Sequence, residues 1–80
     1  MLLRCQGFCE NLLRIRKAKG MTQNEVVAKM QILGSNLSVY SYNKIERGTR
    51  NLKITDLVGL KTVFEVEYSE FFVGIEPGQA

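Results

Sequence analysis

The stretch "MTQNEVV", Met21 to Val27, carries two helix-start signals at once. Thr22 and Glu25 have the S/T-x-x-E spacing of a capping box, and Met21 and Val26 have the spacing of a hydrophobic staple. A helix therefore begins near residue 22. Val26, Val27, Met30 and Leu33 continue its apolar face, and Gly34 supplies a stop. The same pattern recurs downstream. Ser38 can cap a third helix, with Leu37 and Tyr42 at staple spacing and Tyr42 and Ile45 facing inward. By the same wheel Val39, Tyr40, Asn43, Lys44 and Arg47 fall on the outer side. Residues 39, 40 and 42 have some strand propensity, but a strand here would have no periodic partner in the chain. Two short helices with a turn between them, at about 22–33 and 38–47, are the expectation.

Three more segments complete the chain. Phe8, Leu12 and Ile15 recur at helical spacing, and Gly20 ends that helix, near Phe8 to Lys19. Leu13 falls outside the stripe, either as a lone exposed leucine or as part of a contact. "TDLVGLKTVF" has a Thr55 cap with Leu57, Leu60 and Phe64 on one face and Val63 beside them. Gly59 within it costs about 1 kcal/mol against Ala and hints at close packing. "EYSEFFVGI" reads as a short fifth turn or helix, with Phe71 and Phe72 packing it to the core or one of them reaching the surface. The expected fold is all-α, a small five-helix bundle forming a single domain over 1–80, with flexible ends at 1–7 and 75–80. Eighty residues, 45% of them hydrophobic, suit one core and no more.

The net charge of +3 says little, but its distribution says more. Met1 to Lys53 carries ten basic and three acidic residues, whereas Ile54 to Ala80 carries one basic residue against five acidic ones. The two parts are expected to do different work. With no histidine, no base is poised near neutrality, and Ser35, Ser38 and Cys9 have no evident activating partner; no enzymatic role is expected. Cys5 and Cys9 are the only cysteines, too few for a tetrahedral metal site, and read as a reduced pair one helical turn apart. No cofactor, metal or small-molecule ligand is expected. No stretch approaches the ~20 apolar residues of a membrane span, and a cytoplasmic location is the expectation.

A third helix with a polar outer side beside basic loops is what entry into a DNA major groove requires. "RIRKAKGMTQNEVVAKM", "NKIERGTRN" and "FEVEYSEFF" together resemble the lambda-repressor-like (Cro/XRE-type) helix-turn-helix domain, over roughly Phe8 to Val73. The resemblance implies a bundle of five helices that binds double-stranded DNA.

Residue by residue, it places Gln23 at the opening of the second helix, where the family's glutamine typically contacts a phosphate and braces the recognition helix. Val39, Tyr40, Asn43 and Lys44 fall on positions that usually face base edges. Arg47, Thr49, Arg50 and Asn51 match the loop along the sugar-phosphate backbone, and Arg16 and Glu46 match a structural ion pair between the first and third helices. Chemically, Asn43 suits an adenine edge and Lys44 a guanine, whereas Val39 offers only apolar contact and Tyr40 a phosphate, a methyl or a base edge. Val39 and Tyr40 depart from the arginine or glutamine often found near the start of this helix. A basic run alone is more often a solvated face; beside the motif, contact with nucleic acid is favoured.

From Ala28 to Ile45 the chain is about four residues longer than the commonest family pattern, close to the ~3.6 of one helical turn. Either the second helix extends through Leu33 to Gly34, or it ends near Met30 and "QILGSNL" loops out. The extended helix, resembling a minority form of the family, is favoured because a loop would have to bury Ile32, Leu33 and Leu37. The implied function is sequence-specific binding of a double-stranded DNA operator by a transcriptional regulator, most simply a repressor. The partner would be a second copy, associated through the acidic C-terminal region. An antitoxin that represses its own operon, or a protein-interaction adapter on the same fold, is the alternative.

Overall fold

The computed structural model describes residues 2–3 and 6–77. The chain is all-α apart from one pairing of two short strands. Its order is β1 (Leu2–Leu3), α1 (Gln6–Ala18), α2 (Gln23–Ile32), α3 (Val39–Glu46), β2 (Leu52–Lys53), α4 (Ile54–Phe64) and a 3₁₀ turn at Tyr68–Phe72. Each helix contributes one apolar stripe to a common core. Phe8, Leu12 and Ile15 come from α1, Val26, Val27 and Met30 from α2, Tyr42 and Ile45 from α3, and Leu57, Leu60 and Phe64 from α4. Leu37, Leu52 and Phe71 fill the remaining gaps from the connections and the 3₁₀ turn.

The capping box forms as expected. Thr22 Oγ1 accepts from Glu25 N at 3.1 Å, and Glu25 Oε1 accepts from Thr22 N at 2.8 Å. Two of the four orphan N–H groups of the helix start are thereby satisfied. Ser38 Oγ likewise accepts from Ser41 N at 3.1 Å and starts α3 where its cap signal stands.

Helix α2 does extend. It runs to Ile32 with Leu33 as its C-cap, and Gly34 turns the chain at φ 100°, a conformation that glycine adopts freely. The expected burial of the extension does not occur: Ile32 is 84% and Leu33 53% exposed. The helical wheel explains Ile32, whereas Leu33 keeps the inward side, at i+7 from Val26, and is half-exposed as the C-cap. Ile32 stands about 200° around from Met30, the last buried residue of α2, and Leu37 occupies the core space beyond.

Three further expectations need correction. The bundle has four α-helices, not five, because the last segment closes only as a five-residue 3₁₀ turn with Phe71 as its single buried residue. A 3₁₀ helix is used in such short pieces. Helix α4 starts at Ile54 with Lys53 as N-cap and no side-chain cap, so Thr55 lies inside it. Lys53 is held extended by its pairing with Leu2, and the helix begins directly after it. The N-terminal end is also not loose throughout, since Leu2 and Leu3 pair antiparallel with Lys53 and Leu52 and α1 already includes Gln6 and Gly7. A two-residue strand is too short to announce itself by alternation. Cys5, one half of the expected thiol pair, lies outside the described residues; Cys9 is buried in α1.

Gly59 on α4 makes room for the side chain of Met30 on α2. A Cβ there would stand 2.9 Å from both Sδ and Cε of Met30, so the hint of close packing holds.

Candidate functional site

The outer face of α3 is held in place from below by one polar cluster. Arg16 on α1 donates to the Glu46 carboxylate twice, from Nε to Oε2 at 2.6 Å and from Nη2 to Oε1 at 3.1 Å. Its Nη1 donates to the Met21 carbonyl at 2.9 Å, which ties the α1–α2 turn to the same group. Gln23 Nε2 donates to Glu46 Oε1 at 3.0 Å, and Asn43 Nδ2 donates to Gln23 Oε1 at 3.3 Å. Three helices thus converge on one carboxylate. The expected ion pair is present, and Gln23 braces α3 as the resemblance implies.

The cluster is well shielded, with 13% of the Arg16 and 4% of the Glu46 side chain exposed. Burial pushes the Glu46 carboxyl up, but the Arg16, Tyr42 and Gln23 donors that face it outweigh burial and hold the group below the usual carboxylate range. The same contact raises the Arg16 guanidinium further. Beneath them lies Tyr42, fully buried, whose hydroxyl faces the Glu46 carboxylate and Arg16 without meeting either in good hydrogen-bond geometry. Burial, reinforced by the Glu46 carboxylate, drives its phenol far above the ordinary range.

Above this cluster the helix presents two adjoining rows. One holds Val39 and Asn43, the other Tyr40, Lys44 and Arg47, at i, i+4 and i+7 spacing. Tyr40 is 70% exposed, and Lys44 Nζ sits 4.5 Å from its ring centroid, a cation–π contact. Lys44, as donor and as charge, holds the Tyr40 phenol below its usual value. Asn43 is only partly exposed, and one N–H of its amide is engaged by Gln23, leaving the other N–H and Oδ1 to face outward partners.

Beyond α3, Arg47, Thr49, Arg50 and Asn51 are all exposed along the loop that leads to β2. Thr49 closes the C-terminus of α3, donating from N at 3.0 Å and from Oγ1 at 3.3 Å to the Lys44 carbonyl. Of the expected positions, Arg47, Thr49, Arg50 and Asn51 follow directly on the outer rows of α3, whereas Gln23 is engaged by Glu46 and Asn43.

Several positioning residues escaped the sequence reading. Ser35 Oγ donates to Asp56 Oδ1 at 3.1 Å and accepts from Leu37 N at 3.1 Å, while Gln31 Nε2 donates to the Leu37 carbonyl at 3.2 Å. These bonds pin the α2–α3 connection to α4 and set where α3 begins. Asn11 is buried in α1 and donates to the carbonyls of Phe71 at 3.0 Å and Val73 at 2.8 Å, anchoring the 3₁₀ turn. An asparagine directly before Leu12 of the apolar stripe was the available signal.

Among the described residues no group of three His, Cys, Asp or Glu could hold a metal ion, and no helix is long and apolar enough to cross a membrane. The chain matches no protein-family model, and neither the curated proteins nor the solved structures contain a match to it.

Proposed function

We propose that this chain binds double-stranded DNA sequence-specifically as a transcriptional repressor of the cytoplasm, with α2, its connection and α3 acting as a helix-turn-helix. The observation that carries the reading is the outward row of exposed Tyr40, half-buried Lys44 and exposed Arg47, continued by Arg50, on a helix clamped to α1 and α2 through Glu46. A short helix fits the B-DNA major groove, about 12 Å wide, and a clamped one enters it with little further loss of freedom.

Lys44 donates to a guanine edge, and Val39 and the Tyr40 ring contact thymine methyls. The free amide atoms of Asn43 address an adenine, while Gln23 holds that amide in one orientation. Arg47, Thr49, Arg50, Asn51 and the N-terminus of α2 at Gln23 grip phosphates on either side. Two copies on half-sites about 34 Å apart supply the affinity that one short helix lacks. Repression then follows from occupancy of the operator.

Titrating the chain against duplex DNA at several salt concentrations tests this. Each neutralised phosphate contributes about 0.9 to the log-log slope, so a steep fall in affinity supports the reading. An affinity indifferent to salt would point to a protein-interaction adapter instead.

A further inference from the structure

The one-turn extension of α2 leaves two large apolar side chains outside the core, Ile32 at 84% and Leu33 at 53% exposure. They border a shallow groove between the ends of α2 and α4, lined by Lys29, Ile32, Leu33, Thr62, Val63 and Glu65. Val58, one turn earlier on α4 and 47% exposed, prolongs the apolar strip. Isolated exposed hydrophobes are ordinary, but a protruding isoleucine beside an apolar hollow is a contiguous patch.

The groove carries opposite charges on its two walls, Lys29 on α2 and Glu65 at the end of α4. Lys29 lies one turn from Glu25, whose carboxyl its charge helps to hold low, but neither Lys29 nor Glu65 closes a salt bridge among the described residues. Glu65 is also the one non-glycine residue with a left-handed backbone among the described residues, at φ 55°. Glycine is the usual occupant of that position at a helix end, so a glutamate there is held at some conformational cost.

We infer that this groove is the surface on which two copies of the chain associate. In a two-fold contact each residue i meets j while j meets i. Ile32 of each copy enters the hollow of the other, and Lys29 of each copy meets Glu65 of the other, so a knob, a hollow and complementary charges on one patch suit a second copy of the same surface. A stable contact needs roughly 800 Å² from each side. That is about a sixth of this chain's 5042 Å², so the contact extends beyond the groove to its rim and to Val58. The interface lies on the α2–α4 side, whereas the acidic turn carrying Phe72 and Val73 packs on α1.

Sedimentation of the whole chain without DNA tests this independently of DNA binding. The wild type should dimerise at micromolar concentration. Ile32→Lys should weaken association at least about tenfold, as should Lys29→Glu or Glu65→Lys alone, because each places like charges face to face. The double exchange Lys29→Glu/Glu65→Lys should restore it to within about threefold. Glu65→Gly should raise the melting temperature yet weaken association, separating folding from contact. A wild type that stays monomeric at hundreds of micromolar overturns the inference. So does a double exchange no better than the singles, or association lost in Val73→Lys but kept in Ile32→Lys.

Discussion

Arg16 reaches from α1 to the last residue of α3 and holds the Glu46 carboxylate through two N–H groups, at 2.6 and 3.1 Å. Because Glu46 also accepts from Gln23, one carboxylate sets the relation of three helices. Removing either partner strands a shielded charge. Glu46→Ala should therefore cost about 3 kcal/mol, and Arg16→Ala a comparable amount. The double variant should cost clearly less than the sum. Urea denaturation of the four proteins measures this, and an unchanged midpoint in Glu46→Ala would contradict the placement.

The same carboxylate makes stability depend on acid. Its folded-state pKa lies below the ordinary value of 4.5, so its contribution is complete above that pH and fades as pH falls through the lower folded value. Wild type should lose stability on that acid limb more steeply than Glu46→Gln. Parallel acid limbs for the two proteins would show that Glu46 titrates as it does in the unfolded chain.

Tyr42 behaves in the opposite sense. Burial raises its folded pKa above the ordinary value of 10.0, so the neutral phenol supports the fold below pH 10.0 and that support is lost as pH rises beyond it. Its hydroxyl is buried beside the Glu46 carboxylate without good hydrogen-bond geometry, so the burial cost and the contact offset each other. Tyr42→Phe should thus leave stability near neutrality within about 1 kcal/mol of wild type and remove part of the alkaline loss. A variant clearly less stable than wild type would mean that the hydroxyl contributes a bond of its own.

On the proposed DNA face, Arg47→Ala or Arg50→Ala should weaken binding to all sequences alike and lower the salt slope by about 0.9 each. Asn43→Ala should instead relax preference at one base step by about 1–3 kcal/mol. Gln23→Ala frees the same amide, and should blur that preference while removing one of the donors to Glu46. Competition titrations against altered duplexes separate the three patterns.

How much of this was legible depended on the range over which each signal acts. Thr22 with Glu25 and Ser38 with Ser41 are bonds within one helical turn, so their residue types alone foretold where α2 and α3 begin. The inward stripes were equally plain, since burial follows helical period. The Arg16–Glu46 bond spans thirty positions and was visible only through family resemblance. Lys53 could not be read as the start of α4, because its extended backbone is imposed by pairing with Leu2, far away in the chain. Ile32 misled for a similar reason: apolar character marks what would profit from burial, but the wheel had no core left on its side, whereas Leu33 keeps the inward side and is half-exposed as the C-cap. Asn43 was read as a free base reader, whereas tertiary contact commits part of its amide to Gln23.

The central claim is that the Tyr40–Lys44 face of α3 reads duplex DNA. Selection of bound sites from random duplexes measures this most directly. The account predicts enrichment of one recurring sequence in two inverted copies, with centres about 34 Å apart, and a changed preference at defined bases for Lys44→Ala and Asn43→Ala. Failure to enrich any sequence, or the same selected site from wild type and both variants, would contradict it.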